Sequence, residues 1–113
     1  MPLYLARFSY TTDAMKALVD QPQDRSAAAR ELAETLGGKL LGFWYALGEF
    51  DGVFLMEAPD NASAVAVAMA VGASGALSDI ETTVLLDMDE AQDAMRKASA
   101  AIYRPPAGFV RVL

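Results

Sequence analysis

The 113-residue sequence contains no cysteine and no histidine. Without cysteine there is no disulfide framework, thiolate nucleophile or iron–sulfur cluster, and without histidine there is no imidazole for haem, zinc or general-base work. Long apolar runs are missing too. Glu57, Asp60 and Asp79 interrupt the richest region well short of the ~18 residues a membrane-spanning helix needs. The stretch Met1-Pro2-Leu3-Tyr4-Leu5-Ala6-Arg7 lacks the basic start, apolar core and small-residue cleavage site of a signal peptide. These absences predict a cytoplasmic protein with no membrane partner. Positive charge is scarce, with 9 Lys and Arg against 15 Asp and Glu for a net charge of −6. Such a chain repels phosphate backbones, so nucleic acid is not expected as a partner.

Other chemistries fall away for lack of a motif. There is no P-loop, dinucleotide fingerprint or nucleophile elbow, and Ser9, Ser26, Ser63, Ser74, Ser78 and Ser99 have no histidine to activate them. The acidic cluster Asp87, Asp89, Glu90 and Asp93 lacks the glycine and terminal glutamate of a calcium loop at their required offsets, and helix capping accounts for Asp89 and Glu90. Neither a metal nor a cofactor is expected.

What the chain has in quantity is apolar side chain, 54% of residues, giving a mean hydropathy of +0.23. A chain of this length has room for one domain burying about two-thirds of its unfolded surface. That is more apolar material than one small core easily hides, so part of it should meet another copy of the chain.

The aromatic and aliphatic residues from Leu3 to Tyr10 predict a first strand. Thr11-Thr12-Asp13 can cap a helix, which Gln21-Pro22 then interrupts. A second helical part runs from about Asp24 to Leu36, with Ala29, Leu32, Ala33 and Leu36 on one stripe, and Gly37-Gly38 closes it with a left-handed cap. Leu40 to Leu47 is an unbroken apolar run whose alternation places Leu41, Phe43, Tyr45 and Leu47 on one face and Leu40, Gly42, Trp44 and Ala46 on the other. Gly48-Glu49-Phe50 connects it as a hairpin to a strand from Asp51 to Ala58. Pro59-Asp60 opens an alanine-rich helix from Asn61 to about Ala73, whose small residues permit close packing on a sheet, and Ile80 to Leu86 forms the last strand. Beyond it, Asp89-Glu90-Ala91-Gln92 predicts a capping box for a further helix through about Ala101, and the apolar end Phe109-Val110-Arg111-Val112-Leu113 is expected to dock on a core or a neighbouring subunit.

Strand, helix, hairpin, helix, strand is the ferredoxin-like split βαββαβ order, an α+β fold with a four-stranded antiparallel sheet, helices on one face and here an extra C-terminal helix. The expected layout is a single domain over residues 1–113, with a core over 2–87 and a helix and tail over 88–113. Apolar residues on both sides of the strands call for something to close the uncovered face, most simply the sheet of a second copy. The sequence Gly48-Glu49-Phe50-Asp51-Gly52, followed by Glu57-Ala58-Pro59-Asp60, resembles the signature of the GYD domain family, and Gly75 and Ile80-Glu81-Thr82-Thr83 are similar to that family's last strand. The family's eponymous tyrosine is Phe50 here. The resemblance covers roughly residues 2–87 and implies a ferredoxin-like fold related to the dimeric α/β barrels, a group that includes cofactor-free monooxygenases, isomerases and haem enzymes. It implies no settled activity, and the missing histidine and cysteine speak against haem.

Arg7, Glu57 and Glu81 are the charged side chains within the predicted strand bodies, each sharing a face with mostly apolar neighbours. In the strand order 4-1-3-2, Arg7 lies between the strands of Glu81 and Glu57, so the three are expected to converge. One reading makes them a polar site in an apolar cavity, with Glu57 and Glu81 as candidate catalytic bases on an enolisable or aromatic substrate and Arg7 as anion binder. The other is a satisfied ion pair at a sheet end or subunit seam. Asp51 either holds the hairpin through backbone N–H bonds or supplies a carboxylate at a barrel mouth. Tyr10, Trp44 and Tyr45 suit either a pocket for an aromatic metabolite or plain core. The expected function is a homo-oligomeric small-molecule-binding protein; the alternative is a non-catalytic structural or regulatory assembly module.

Overall fold

The computed structural model describes residues 1–109. In chain order the elements are β1 (Leu3–Tyr10), α1 (Thr12–Asp20), α2 (Ser26–Thr35), β2 (Lys39–Tyr45), β3 (Gly52–Glu57), α3 (Asn61–Ala73), β4 (Leu77–Leu85) and α4 (Met88–Ala100). The four strands form one antiparallel sheet in the order β2-β3-β1-β4, the ferredoxin-like arrangement expected from the sequence. No helix among the described residues is long and apolar enough to cross a membrane.

Local chemistry explains the element boundaries. The Thr11 side chain accepts the N–H of Ala14 at 3.2 Å and starts α1, and Pro22 separates α1 from α2. Asp60 accepts the N–H of Ser63 at 2.8 Å and starts α3. Gly37 and Gly75, both at φ +80°, take the left-handed turns that release the chain from α2 and α3 into strands. The last helix begins earlier than its expected capping box. Asp87 caps it, accepting the N–H of Glu90 at 2.8 Å, because Asp87 to Glu90 already has the acidic i, i+3 spacing that the first turn favours.

Register divides the sheet cleanly into two faces. Toward α1, α2 and α3 stand three cross-strand rows: Tyr45, Gly52, Phe8 and Ile80; Phe43, Phe54, Ala6 and Thr82; Leu40, Met56, Tyr4 and Val84. Tyr4, Ala6, Phe8, Leu40, Phe54 and Met56 are buried there with Ala58, Ala64 and Val67. Each large apolar side chain in that cluster contributes about 1.5–3 kcal/mol of transfer free energy. Tyr4 is 1% exposed, and its hydroxyl donates to Asn61 Oδ1 at 2.6 Å, tying the start of α3 to the middle of the sheet. Gly52 is needed in this layer because a Cβ there would overlap the Phe8 ring.

The opposite face carries the rows Trp44, Val53, Arg7 and Glu81; Gly42, Leu55, Leu5 and Thr83; Lys39, Glu57, Leu3 and Leu85. Among the described residues its apolar side chains Leu3, Leu5, Val53 and Leu55 are only half-buried. A bulge between Leu40 and Gly42 corrects the expected alternation of β2, putting Leu40 on the same face as Phe43 and Tyr45 and leaving Leu41 at the bulge.

The molecule is elongated, measuring 57 × 32 × 22 Å with a radius of gyration of 18.6 Å, against roughly 13 Å for a compact chain of this length. The extra helix α4 follows edge strand β4 and buries none of its residues, with Met88 and Met95 about two-thirds or more exposed. Phe109 is also exposed; the rest of the apolar end, residues 110–113, lies outside the described residues.

Candidate functional site

Two concave regions lie on the helix side of the sheet. The inner one, a cavity of about 450 Å³, sits between β1, β2 and β3 and the three helices. Its aromatic wall is Phe8, Tyr10, Phe43 and Phe54, where Phe8 meets Tyr10 edge to face at 5.4 Å and Phe43 stacks on Phe54 at 6.2 Å. Alanines of α1, α2 and α3 form much of the opposite wall, including Ala14, Ala17, Ala28 and Ala70. Small side chains on these helices therefore leave volume over the sheet instead of closing on it. The outer region, a groove of about 470 Å³, lies between α1 and the β2–β3 hairpin and shares Tyr10, Leu18 and Gln23 with the cavity.

Tyr10 and Tyr45 mark the boundary between the two. Their hydroxyls are 3.0 Å apart and hydrogen bonded. Burial, and next the bond to Tyr45, push the Tyr10 phenol above its ordinary value. It is a neutral hydrogen-bonding group at any physiological pH and not an anion. Asp51 belongs to the outer groove, where its Oδ2 accepts the backbone N–H of Tyr10 at 2.9 Å while its own N–H donates to the Phe8 carbonyl at 2.9 Å. It thereby holds the hairpin loop against the irregular end of β1, where the pairing with β4 shifts between Ser9 and Tyr10.

The remaining residues singled out in the sequence are on the other face. Arg7, Trp44 and Glu81 share one cross-strand row, and Arg7 Nη2 pairs with Glu81 Oε1 at 3.3 Å. The Arg7 guanidinium also lies over the Phe50 ring, 5.4 Å from its centre. Phe50, in the place of the family tyrosine, thus serves as an aromatic platform for a cation. The Nε of Arg7 is buried and has no hydrogen-bond partner among the described residues.

Glu57 does not join this pair. It stands opposite Leu3 on β1, two rows from Arg7 and roughly 13 Å along the strand at the usual rise per residue. The expected convergence of three charges is therefore a convergence of two, because antiparallel register places the end of β3 beside the start of β1. Tyr10, Tyr45 and Asp51 come together around the groove; Arg7, Trp44, Glu57 and Glu81 are separated from them by the thickness of the sheet. Sequence reasoning missed Gln23 and Arg25 at the cavity. The only signal for them was the break at Pro22, which turns this segment back over the sheet.

Comparison with known proteins places this geometry. A crystal structure of a transcriptional regulator from Neisseria meningitidis in complex with L-Met is similar over 77% of this chain and 51% of that one, at 18% identity and a TM-score of 0.55. The chain spans about half the length of that regulator, and the likeness is one of fold. Two uncharacterized proteins from Burkholderia xenovorans align as well. One, described as NIPSNAP-like, covers 93% of this chain and 91% of its own at 13% identity and a TM-score of 0.48; the other, a NIPSNAP domain protein, covers 77% and 94% at 15% identity and 0.44. No curated protein matches the chain in sequence. The model of the GYD domain matches residues 4–95, the whole βαββαβ unit and the first half of α4. The chain belongs to the GYD domain family.

Proposed function

We propose that this protein is a homo-oligomer, of the dimeric α/β barrel type, in which each protomer binds a small apolar molecule in the cavity between its sheet and helices. The observation that carries the reading is the cavity itself. About 450 Å³ lies over an otherwise well-packed sheet, within the size range of small-molecule sites, and its wall is aromatic and aliphatic with a few polar groups at one side. The cavity is open to solvent on one side, and an apolar ligand that displaces water from its aromatic and aliphatic wall gains the transfer free energy of the surface it covers.

Three features support the oligomer. The open sheet face carries Leu3, Leu5, Val53, Leu55, Trp44 and Leu85, none of them buried in the described structure. The buried Arg7 Nε on that face needs an acceptor that the described residues do not supply. Helix α4 carries an apolar stripe through Met88, Ala91 and Met95, of which Met88 and Met95 are largely exposed. A second copy facing the sheet answers the first two, and α4 reaching onto that copy answers the third.

Binding, not proton abstraction, is the activity the cavity supports, because no carboxylate of the described residues lines it. Catalysis by Glu57 or Glu81 on an enolisable substrate would have to take place on the open face, between copies. The test joins mass and binding. Native mass spectrometry of the protein from its own cells should give at least twice the protomer mass with a retained small molecule. Neutral 2-naphthamide, followed by calorimetry, should bind the emptied protein and lose that binding in Ala28→Phe, which fills the cavity. A protomer mass across micromolar concentrations would overturn the oligomer, and naphthamide binding that Ala28→Phe leaves intact would overturn the cavity as the site.

A further inference from the structure

Within the cavity wall the charges are unevenly chosen. The protein carries 15 acidic and 9 basic residues, yet among the described residues Arg25 is the single charged side chain lining the cavity. Its partner is neutral: Arg25 Nη1 donates to Gln23 Oε1 at 3.3 Å. The ion pairs among the described residues are Arg7–Glu81 and Lys97–Asp93, so no carboxylate of the described chain lies within ion-pair distance of the Arg25 guanidinium. An arginine fork left with a neutral partner retains donors for a planar anion.

The groups around it fit the same ligand end. Gln23 is held by its amide, which donates to the Gln21 carbonyl at 3.1 Å, so its oxygen stays turned toward Arg25. Tyr10 lines the cavity and Tyr45 the adjoining groove; their hydroxyls share one hydrogen bond, so one O–H remains to donate to a ligand at that boundary. The far wall, Phe8, Phe43, Phe54, Met56 and Val67, holds no hydrogen-bonding side chain. The remaining polar side chain in the lining, Ser74, is engaged by the Val71 carbonyl and the Ala76 N–H.

Resting on the cavity reading above, we infer that its ligand is an apolar or aromatic monoanion of the carboxylate class, with its ring or chain against Phe8, Phe43 and Phe54 and its charged end at Arg25. A ligand with a second charge would have to bury it against the aromatic wall without a partner, at a cost no contact there offsets. A cation would meet Arg25 at the polar end. Size and charge thus select one class, small acids with one apolar body.

The experiment compares isosteres. Calorimetry with 2-naphthoate and 2-naphthamide varies the charge and keeps the shape. Naphthoate should bind at least tenfold more tightly at low salt, and the ratio should shrink as salt is added. Arg25 is exposed, so Arg25→Gln should fold, and circular dichroism checks that it does. In that variant naphthoate should fall to the level of naphthamide while naphthamide is unchanged, and Arg25→Lys should recover part of the difference. Equal binding of the two compounds to the native protein, or a naphthoate preference that survives Arg25→Gln, would overturn the anion assignment and leave the cavity standing. Failure of both compounds to bind would remove the cavity reading together with it.

Discussion

The two faces of one sheet are built from alternate residues of the same four strands, and they differ in how far the chain completes them. On the helix face, Tyr4, Ala6, Phe8, Phe54 and Met56 are at most 6% exposed and no charged residue interrupts the rows. On the open face, Leu3, Leu5, Val53 and Leu55 are half-buried, and Arg7, Glu57, Glu81 and Lys39 stand among them. One face is a core finished within the protomer, with a cavity left in it. The other has the composition of a subunit interface, apolar at its centre and charged toward its ends.

Neighbouring residues on β3 give the largest effect that tests this contrast. Met56 is 1% exposed on the helix face, and Met56→Ala should cost about 2–5 kcal/mol of stability in denaturant titrations, as large-to-small core substitutions do. Leu55, one residue away, faces the other side. If a second copy covers it, Leu55→Ala should cost a similar amount and make stability depend on protein concentration. A loss under about 1 kcal/mol that does not change with concentration would mean that the open face is finished as it stands.

A charge placed on the open face sharpens the same point. Leu55→Asp buries an unpaired carboxylate if sheets meet there, and the several kcal/mol this costs should weaken self-association about a hundredfold or more. Light scattering should show protomers with unchanged far-ultraviolet circular dichroism. An intact oligomer in this variant would move the contact elsewhere, with α4 the next surface to alter.

How much of this was legible in the sequence depends on what the sequence encodes locally. Strands β1 and β3 alternate strictly, so their faces could be assigned from period alone, and Arg7, Glu57 and Glu81 do share one face. Their separation along the sheet was not legible. Register is set by where strands pair, and Glu57 meets Leu3 because the pairing of β1 and β3 starts at the chain's first strand residue. In β2 an unbroken apolar run hides the bulge at Leu41, because every residue is acceptable on either side. The alanines of α3 read as close packing. The cavity they help to line depends on the positions of three helices together, which no single period records.

A smaller effect tests the charged end of the open face. The Arg7–Glu81 pair has side chains 41% and 57% exposed, so in an isolated protomer Arg7→Met should change stability by only about 0.2–1 kcal/mol. In the oligomer the same substitution removes a donor that the partner must satisfy, and it should act on association more than on folding. A variant as associated as the native protein would show that the seam does not use Arg7. Denaturation at two protein concentrations, with the Leu55→Asp protomer as reference, separates these outcomes.

The smallest effect concerns acid, and it belongs to the helix face. The N–H of Ser63 hydrogen bonded to Asp60 holds that carboxyl below the usual carboxylate range, and the Ser26 hydroxyl does the same for Asp24. A carboxylate whose folded pKa is depressed contributes stability that is fully present above its unfolded pKa. That contribution is lost as pH falls through the folded value, because the unfolded chain takes up the proton first. Asp60→Asn separates the cap from its charge, since asparagine caps a helix about as well as aspartate and does not titrate. Denaturant titrations at pH 5 and pH 3 should therefore show a smaller loss in Asp60→Asn than in the native chain. With Tyr4 and Asn61 still tying α3 to β1, the difference should be modest, and the helices over the cavity should keep naphthamide binding in the variant at both pH values. Equal acid sensitivity of the two proteins would mean that the helix layer does not draw stability from the charge at Asp60.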